Sequence, residues 1–160
     1  HEHFTVTIPK TVVICTDIFD EFMETNELYP LALSDVDDDV ILKYFLRASL
    51  PTRLIDDLLA FSDVVKGPLA IRSSSLLEDS HYQPFAGIYS TYMIPKLEDK
   101  YEMLRMLSDA IKAVYASVFY RDSKAYMTAT SNLIDQEKMA VVLQEVVGNQ
   151  YNDHFYPTMF

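Results

Sequence analysis

The chain has 160 residues, of which 49% are hydrophobic and 23% are charged, a composition typical of a single globular domain with a sizeable core. Its 13 basic and 24 acidic side chains give a net charge of −11, which disfavours nucleic acid and anionic membranes as partners, so that any phosphate site must be a local positive pocket. Cys15 is the only cysteine and the N-terminus carries neither a signal peptide nor a long apolar run, so we expect a reduced, cytoplasmic protein that does not enter the membrane.

The first predicted elements are a buried strand and a helix. Thr11 to Cys15 is rich in β-branched residues and lies between Pro9 and Asp17, which is typical of a core strand. Thr16 is expected to cap the helix that follows. Apolar side chains recur at helical spacing at Ile18, Phe19 and Phe22. The two elements together predict a strand and helix scaffold.

Two more helices are predicted before the centre of the chain. The first begins at Ser34, and its apolar positions repeat with the helical period as far as Ala48. The second has Pro51 at its first helical position and ends before the Gly67-Pro68 pair. Their apolar stripes predict core packing rather than a site.

Two early stretches invite a metal-binding interpretation that we do not favour. His1 and His3 lie at a chain end, which lacks the rigid convergence that a metal site needs. The acidic run from Asp35 to Asp39 lacks the glycine turn and the distal glutamate of a calcium loop. Acidity at the start of a helix explains that run better. We therefore expect no metal ligands in this chain.

The segment after Gly67-Pro68 carries the strongest chemical signal. Leu69 to Ile71 predicts a buried strand that leads Arg72 into a polar loop from Ser73 to Pro84. A guanidinium stays charged and its planar fork of donors fits phosphate oxygens. The pattern indicates a polyphosphate clamp. The alternative is a structural ion pair between Arg72 and one of two acids, Glu78 or Asp79.

The second half of the chain predicts two strands and two helices. Gly87 to Ile94 should return as a strand antiparallel to its predecessor, and Met139 to Val147 should form the last strand. Between them, Glu98 to Phe119 predicts the long helix that covers the sheet, and Arg121 to Thr130 predicts a shorter one.

Other catalytic motifs are not supported. Ser73, Asp79 and His81 could be read as a nucleophilic triad, but they share one loop and lack the G-x-S-x-G elbow. Neither a G-x-x-x-x-G-K-[ST] nor a G-x-G-x-x-G motif occurs. A hydrolase triad, a P-loop and a Rossmann site are therefore disfavoured.

Three stretches in the right order carry a family resemblance. Arg-Ser-Ser at residues 72–74, Glu78-Asp79, Phe-Ala-Gly at 85–87 and Thr91 resemble the "RSSxxxED…FAG…T" signature of the nucleotide-binding domain of the phosphoenolpyruvate synthase and pyruvate phosphate dikinase family. Residues 7–22 are similar to the family's "VPxGFxITTxAFxxFL" opening, and residues 139–147 are similar to its "AVxVQxMV" strand.

The resemblance implies a fold and a function. The fold would be α+β, with residues 1–160 as a single domain, the N-terminal part of an ATP-grasp domain with a mixed or antiparallel sheet flanked by helices. The family reaction transfers phosphate from ATP to a histidine and on to pyruvate, with Mg²⁺, although water, glucan or antibiotic acceptors are equally compatible with this domain. The residues that the resemblance assigns to ATP are Arg72, Ser73, Gly87 and Thr91 at the phosphates, Gln144 near the adenine, and Glu145 to Val147 with backbone groups for the base.

The sequence also departs from the family pattern. The "GGKGxxL" segment with its phosphate-binding lysine, the magnesium-binding half and the "TSHxA" phosphohistidine context do not occur, and Ile88 stands where the family usually has glutamine. We therefore expect a fragment of a larger dikinase-like protein, with no catalytic residue, no phosphotransferase activity by itself, and exposed apolar edges that favour self-association. The alternative is a non-catalytic nucleotide-sensing or interaction module.

Overall fold

The computed structural model describes residues 10–75, 91–129, 139–146, 148–151 and 154–157, with side chains in 10–74, 91–125 and 139–146. Helices and strands alternate in groups along the chain. The helices are α1 (Thr16–Thr25), α2 (Tyr29–Ala32), α3 (Asp38–Arg47), α4 (Thr52–Val64), α5 (Lys100–Ser117) and α6 (Arg121–Ala129). The strands are β1 (Thr11–Ile14), β2 (Leu69–Ser75), β3 (Thr91–Ile94), β4 (Met139–Glu145), β5 (Gly148–Tyr151) and β6 (His154–Pro157).

Four of these strands form one sheet, in the order β1-β4-β2-β3. Each neighbouring pair in that sheet is antiparallel, and β5 and β6 form a separate antiparallel pair. The predicted α+β class is confirmed, and the antiparallel alternative for the sheet is the one observed. Because β4 lies between β1 and β2, it joins two strands that are far apart in sequence.

The sheet has two chemically different faces. In β2, Leu69 and Ile71 are fully buried while Arg72 is exposed, which is the alternation expected of a strand with one covered face. Helix α5 packs against β2, β3 and β4. We call the face beneath the helices the inner face and the opposite one the outer face. The register places ten residues on the outer face: Thr11, Val13, Ala70, Arg72, Ser74, Thr91, Met93, Ala140, Val142 and Gln144.

An aromatic cluster forms the centre of the helical layer. Phe19 lies edge-on to Tyr115 at 5.1 Å between ring centroids, and Phe22 lies 5.4 Å from the same ring. Phe45 and Phe119 complete the cluster at 5.8 Å from each other. All five side chains are buried. Large aromatic rings in such contacts contribute strongly to stability, so this cluster anchors α1, α3 and α5 to one another.

The Tyr115 hydroxyl gives a stability prediction. This buried oxygen has no hydrogen-bond partner within the described part of the chain, and burial, with a smaller effect from Asp17, raises the pKa of the phenol. An unsatisfied buried polar group costs about 1–3 kcal/mol. We expect Tyr115→Phe to increase the free energy of unfolding by about 1 kcal/mol, measured by urea denaturation.

The matched control lies on the same helix. Tyr101 is 65% exposed, so Tyr101→Phe should change the free energy of unfolding by less than about 0.5 kcal/mol. A destabilised Tyr115→Phe protein would show that the hydroxyl has a partner that stabilises the fold.

The helix starts differ from the predictions by one to four residues. Thr16 is the first residue of α1 rather than its cap, since Cys15 occupies the cap position. The second predicted helix begins at Asp38, not at Ser34, because the short α2 precedes it and the Ser34 hydroxyl donates to the carbonyl of Leu31 in that turn. Pro51 lies at the cap of α4, one residue before the predicted position.

The acidic run before α3 has a structural role. Asp38 and Asp39 lie in the first turn of α3, as the helix-start interpretation predicted. The Asp38 carboxylate also accepts a hydrogen bond of 2.8 Å from the backbone N–H of Arg121. It therefore ties the start of α3 to the start of α6.

The later elements also differ in extent. Strand β2 runs to Ser75, so Ser73 belongs to the strand and not to the predicted loop, because β4 pairs with it along its whole length. The long helix begins after Asp99, whose side chain caps it, rather than at Glu98, and Tyr101 in its first turn is exposed. The β5–β6 pair was not predicted. No described helix combines the length and the apolar character that a membrane crossing requires.

Candidate functional site

The outer face brings together three of the residues predicted to bind a nucleotide. Arg72 pairs with Thr91 of β3 on one side and with Val142 of β4 on the other. Side chains directly opposite each other have Cβ atoms roughly 4.5–5.5 Å apart. Gln144 follows Val142 by two residues, which places it diagonally from Arg72 at roughly 7–8 Å. The charge, the hydroxyl and the amide therefore lie within one small area.

The same residues belong to two parallel rows that cross the sheet. One row is Val13, Val142, Arg72 and Thr91; the other is Thr11, Gln144, Ala70 and Met93. Each row crosses four strands and is roughly 14 Å long, at about 4.8 Å per strand spacing. The rows combine polar groups with an apolar floor that the sequence analysis missed: Val13, Ala70, Met93 and Val142. Of these, Val13 is 54% exposed and Met93 is 55% exposed. The outer face therefore places a guanidinium, a hydroxyl and an amide beside exposed apolar side chains.

Arg72 carries the positive charge of the outer face. Its side chain is exposed, and its guanidinium makes no hydrogen bond or ion pair with the side chains that the structure describes. The acids proposed as its structural partners, Glu78 and Asp79, lie outside the described residues. The phosphate clamp and the structural ion pair therefore both stay predictions for Arg72.

Two predicted site residues lie on the inner face instead. Ser73 is 7% exposed and Glu145 is 5% exposed, and both alternate with the outer-face residues beside them. Their side chains are therefore separated from the Arg72 guanidinium by the thickness of the sheet. Contact with a ligand on the outer face would come from their backbone atoms only.

Glu145 is held by a set of hydrogen bonds at the end of β4. Its Oε2 accepts from the backbone N–H groups of Lys66 at 2.7 Å and Gly67 at 3.3 Å. Its own N–H donates to the carbonyl of Lys10 at 2.8 Å, and the next N–H, of Val146, donates to the carbonyl of Pro68 at 2.8 Å. A base contact through this segment would therefore have to use backbone groups other than these two N–H groups.

The charge state of Glu145 follows from these contacts. Burial by itself raises the pKa of the carboxyl. Hydrogen bonds from the backbone of Lys66, Lys10 and Gly67, with the nearby Lys10 charge, outweigh burial and hold the pKa below its ordinary value. The side chain is therefore a carboxylate at neutral pH.

The remaining predicted positions fall outside this description. Gly87 and Val147 lie outside the described residues, so their predicted contacts with phosphate and base stay predictions. In the described part of the chain, no three His, Cys, Asp or Glu side chains are grouped as a metal site requires.

A cavity on the helical side of the sheet offers a contrast to the outer face. It has a volume of about 410 Å³ and lies between α3, α5 and β3, lined mainly by Leu42, Leu46, Tyr92, Ile94, Met106 and Ala110. Its arginine, Arg105, is paired with Glu102 and with Asp109, the latter at 3.6 Å. This neutralised, apolar groove is a poor site for a polyphosphate, since its cation already has two acidic partners.

Comparison with known proteins gives two matches. Residues 1–153 match the family model described as "Pyruvate phosphate dikinase, AMP/ATP-binding domain". A Bacillus subtilis (strain 168) protein described as "Uncharacterized phosphotransferase YvkC" is 27% identical over 143 residues, which cover 89% of this chain. The chain spans 16% of the length of that relative.

Proposed function

The chain belongs to the family of the pyruvate phosphate dikinase AMP/ATP-binding domain, and from this we propose that it is the ATP-binding part of a dikinase-type phosphotransferase. In this proposal phosphate moves from ATP to a histidine carrier and on to pyruvate or another acceptor. The domain adopts a partial ATP-grasp fold in the same proposal, and Mg²⁺ accompanies the nucleotide with ligands outside this chain. The chain supplies binding and orientation, and groups that it does not contain complete the transfer.

One observation carries this proposal: Arg72, Thr91 and Gln144 share one face of the sheet. The triphosphate would lie at the Arg72 and Thr91 end, where a guanidinium fork and a hydroxyl meet. The base would lie toward Gln144, over the apolar floor. A chain with a net charge of −11 repels anions in general, so a local cation is needed to hold a polyphosphate. Arg72 provides it.

Proteins with phosphoryl-transfer activity depend on placing charge around the phosphates. Ser73 and Gly87 are proposed to contribute backbone N–H groups there, and Glu145 to Val147 are proposed to line the base with backbone atoms. These assignments extend the site beyond the three outer-face side chains. They rest on the family membership and, for Ser73 and Glu145, also on the positions of these residues in β2 and β4.

The proposed function is tested by titrating the wild-type chain and a Thr91→Val variant with ATP and comparing their affinities. Thr91→Val keeps the branched shape and the strand preference of the side chain and replaces only the hydroxyl with a methyl group. A neutral hydrogen bond contributes about 0.5–1.5 kcal/mol, so we expect ATP to bind about two- to tenfold more weakly. Isothermal titration calorimetry measures the change.

The control is Thr25→Val at the end of α1, on the helical side of the sheet, where the side chain is exposed. It should leave the ATP affinity unchanged. Equal ATP affinities of wild type and Thr91→Val would show that the Thr91 hydroxyl does not contact ATP. A wild-type chain that does not bind ATP would refute the proposed function.

A further inference from the structure

Two segments that are distant in sequence from β4 converge on Glu145, and we propose that it is a positioning residue for the ATP site. Its carboxylate holds the loop before β2 through Lys66 and Gly67, and its backbone holds the start of β1 through Lys10. The inference rests on the proposed function. It differs from the expected role of Glu145, because here the side chain acts from the inner face and never touches the nucleotide.

The Glu145 carboxylate accepts hydrogen bonds from two backbone N–H groups that have no partner within a helix or a strand. Helix α4 ends at Val64 and β2 begins at Leu69, so Lys66 and Gly67 lie in the connection, where neither helix nor sheet provides acceptors for their N–H groups. Both N–H groups point at one carboxylate oxygen. A bond to an ionised acceptor is stronger than a neutral one. Without the carboxylate, two partly buried donors lose their partner.

The loop also lies against Val146, the residue that follows β4. A Cβ added to Gly67 would lie 3.4 Å from the carbonyl oxygen of Val146, and the N–H of Val146 donates to the carbonyl of Pro68. The connection therefore contacts the Glu145 side chain at the end of β4 and the backbone of Val146, the next residue. A shift of this loop would move the first residues of β2 with it.

A shift of this loop would affect the outer face at the end of the site where Gln144 lies. Leu69 pairs with Glu145 itself, and the next pair along is Ala70 with Gln144. On the other side Gln144 pairs with Thr11, which directly follows Lys10. The row that contains Gln144 is therefore one residue away from the Glu145 contacts.

The phosphate end is further from these contacts. Arg72 lies two residues beyond Ala70, which is roughly 6.6 Å along an extended strand, and it has neighbours in register on both sides, Val142 and Thr91. Those pairs hold it independently of the loop. Loss of the Glu145 carboxylate should therefore disturb the base end and leave the phosphate end in place.

Two ligands separate the two ends of the site: ATP, which reports on both, and inorganic tripolyphosphate, which reports on the phosphate end alone. For Glu145→Ala we expect ATP to bind about tenfold more weakly, because displacement of contacts by a fraction of an ångström costs on the order of one tenfold step. Tripolyphosphate should bind within about twofold of wild type. Calorimetric titration of the whole chain gives both affinities.

Two further variants separate the effect of the length of the Glu145 side chain from the effect of its charge. Glu145→Gln keeps an oxygen that can accept from Lys66 and Gly67, so its ATP affinity should stay within about threefold of wild type. Glu145→Asp keeps the charge but is shorter by one methylene group, so it should resemble the alanine variant. If Glu145→Ala does not fold, the comparison of Gln with Asp carries the test. The matched control is Glu24→Ala, an exposed glutamate of α1, which should change neither affinity.

Two results would overturn the inference. One is an ATP affinity of Glu145→Ala, or of Glu145→Asp, equal to that of wild type. The other is an equal loss for ATP and tripolyphosphate, which a general loosening of the fold would produce. Failure of the proposed function has a different signature, because the wild-type chain would then bind neither ligand.

Discussion

Replacement of Arg72 by alanine is expected to weaken ATP binding by about tenfold to a hundredfold, the largest effect of any single change on the outer face. A hydrogen bond to a charged group contributes about 1.5–3 kcal/mol, and each 1.4 kcal/mol is a factor of ten in affinity. Arg72→Lys keeps the charge but loses the planar fork, so its affinity should lie between those of wild type and Arg72→Ala.

The same variant separates the phosphate clamp from the structural ion pair. Arg72 is exposed, so the alanine variant should change the free energy of unfolding by less than about 0.5 kcal/mol if the side chain serves the ligand. A buried pair with Glu78 or Asp79 would instead cost about 3–5 kcal/mol when broken. Calorimetric ATP titration and thermal unfolding of one preparation measure both quantities.

The control for Arg72 is Arg53→Ala. Arg53 is an exposed arginine of the helical layer that contacts Asp17 and Glu21, so its removal changes the net charge equally without touching the outer face. It should leave ATP affinity unchanged. A large drop in melting temperature for Arg72→Ala, with unchanged ATP affinity of the folded protein, would refute the clamp.

The largest expected effect on stability is that of Phe22→Ala. Phe22 is fully buried, and its ring lies 5.8 Å from that of Phe45 and 5.4 Å from that of Tyr115. Truncation of a buried phenylalanine to alanine costs about 3–5 kcal/mol, because it loses transfer free energy and leaves a cavity. Urea denaturation should show this loss as a lower midpoint.

A surface aromatic residue provides the comparison for Phe22. Tyr44 of α3 is 48% exposed, so Tyr44→Ala should change the free energy of unfolding by less than about 0.5 kcal/mol. Equal effects of the two substitutions would mean that the aromatic cluster does not anchor α1 to α3 and α5.

The sequence predicted the elements well where local patterns decide them. The β-branched run at Thr11 and the apolar run at Leu69 to Ile71 form strands because their side chains fill one covered face, and the helical stripes pack into one core. Helix starts were less predictable. Ser34 and Asp37 are both good caps by residue type, and only the tertiary structure, in which α2 precedes Ser34, decides between them.

The site was predictable in composition but not in arrangement. The motif around Arg72 identified the residue, yet its neighbours on the outer face depend on the register of β4, which enters the sheet from the far end of the sequence. The apolar floor at Val13 and Met93 could have been inferred from strand alternation once the pairing was known. Glu145 was expected to contact the nucleotide base through its backbone groups. Its side-chain contacts with Lys66 and Gly67 join residues 79 and 78 positions apart, which no local pattern contains.

The measurement that tests the central claim most directly is a methyl NMR titration of the chain with ATP. The account predicts shifts of the methyl groups of the outer face, at Val13, Met93 and Val142, with little change at the buried methyls of α5 such as those of Leu107 and Ile111. Shifts confined to the groove around Leu42, Leu46 and Met106, or no shifts at saturating ATP, would contradict it.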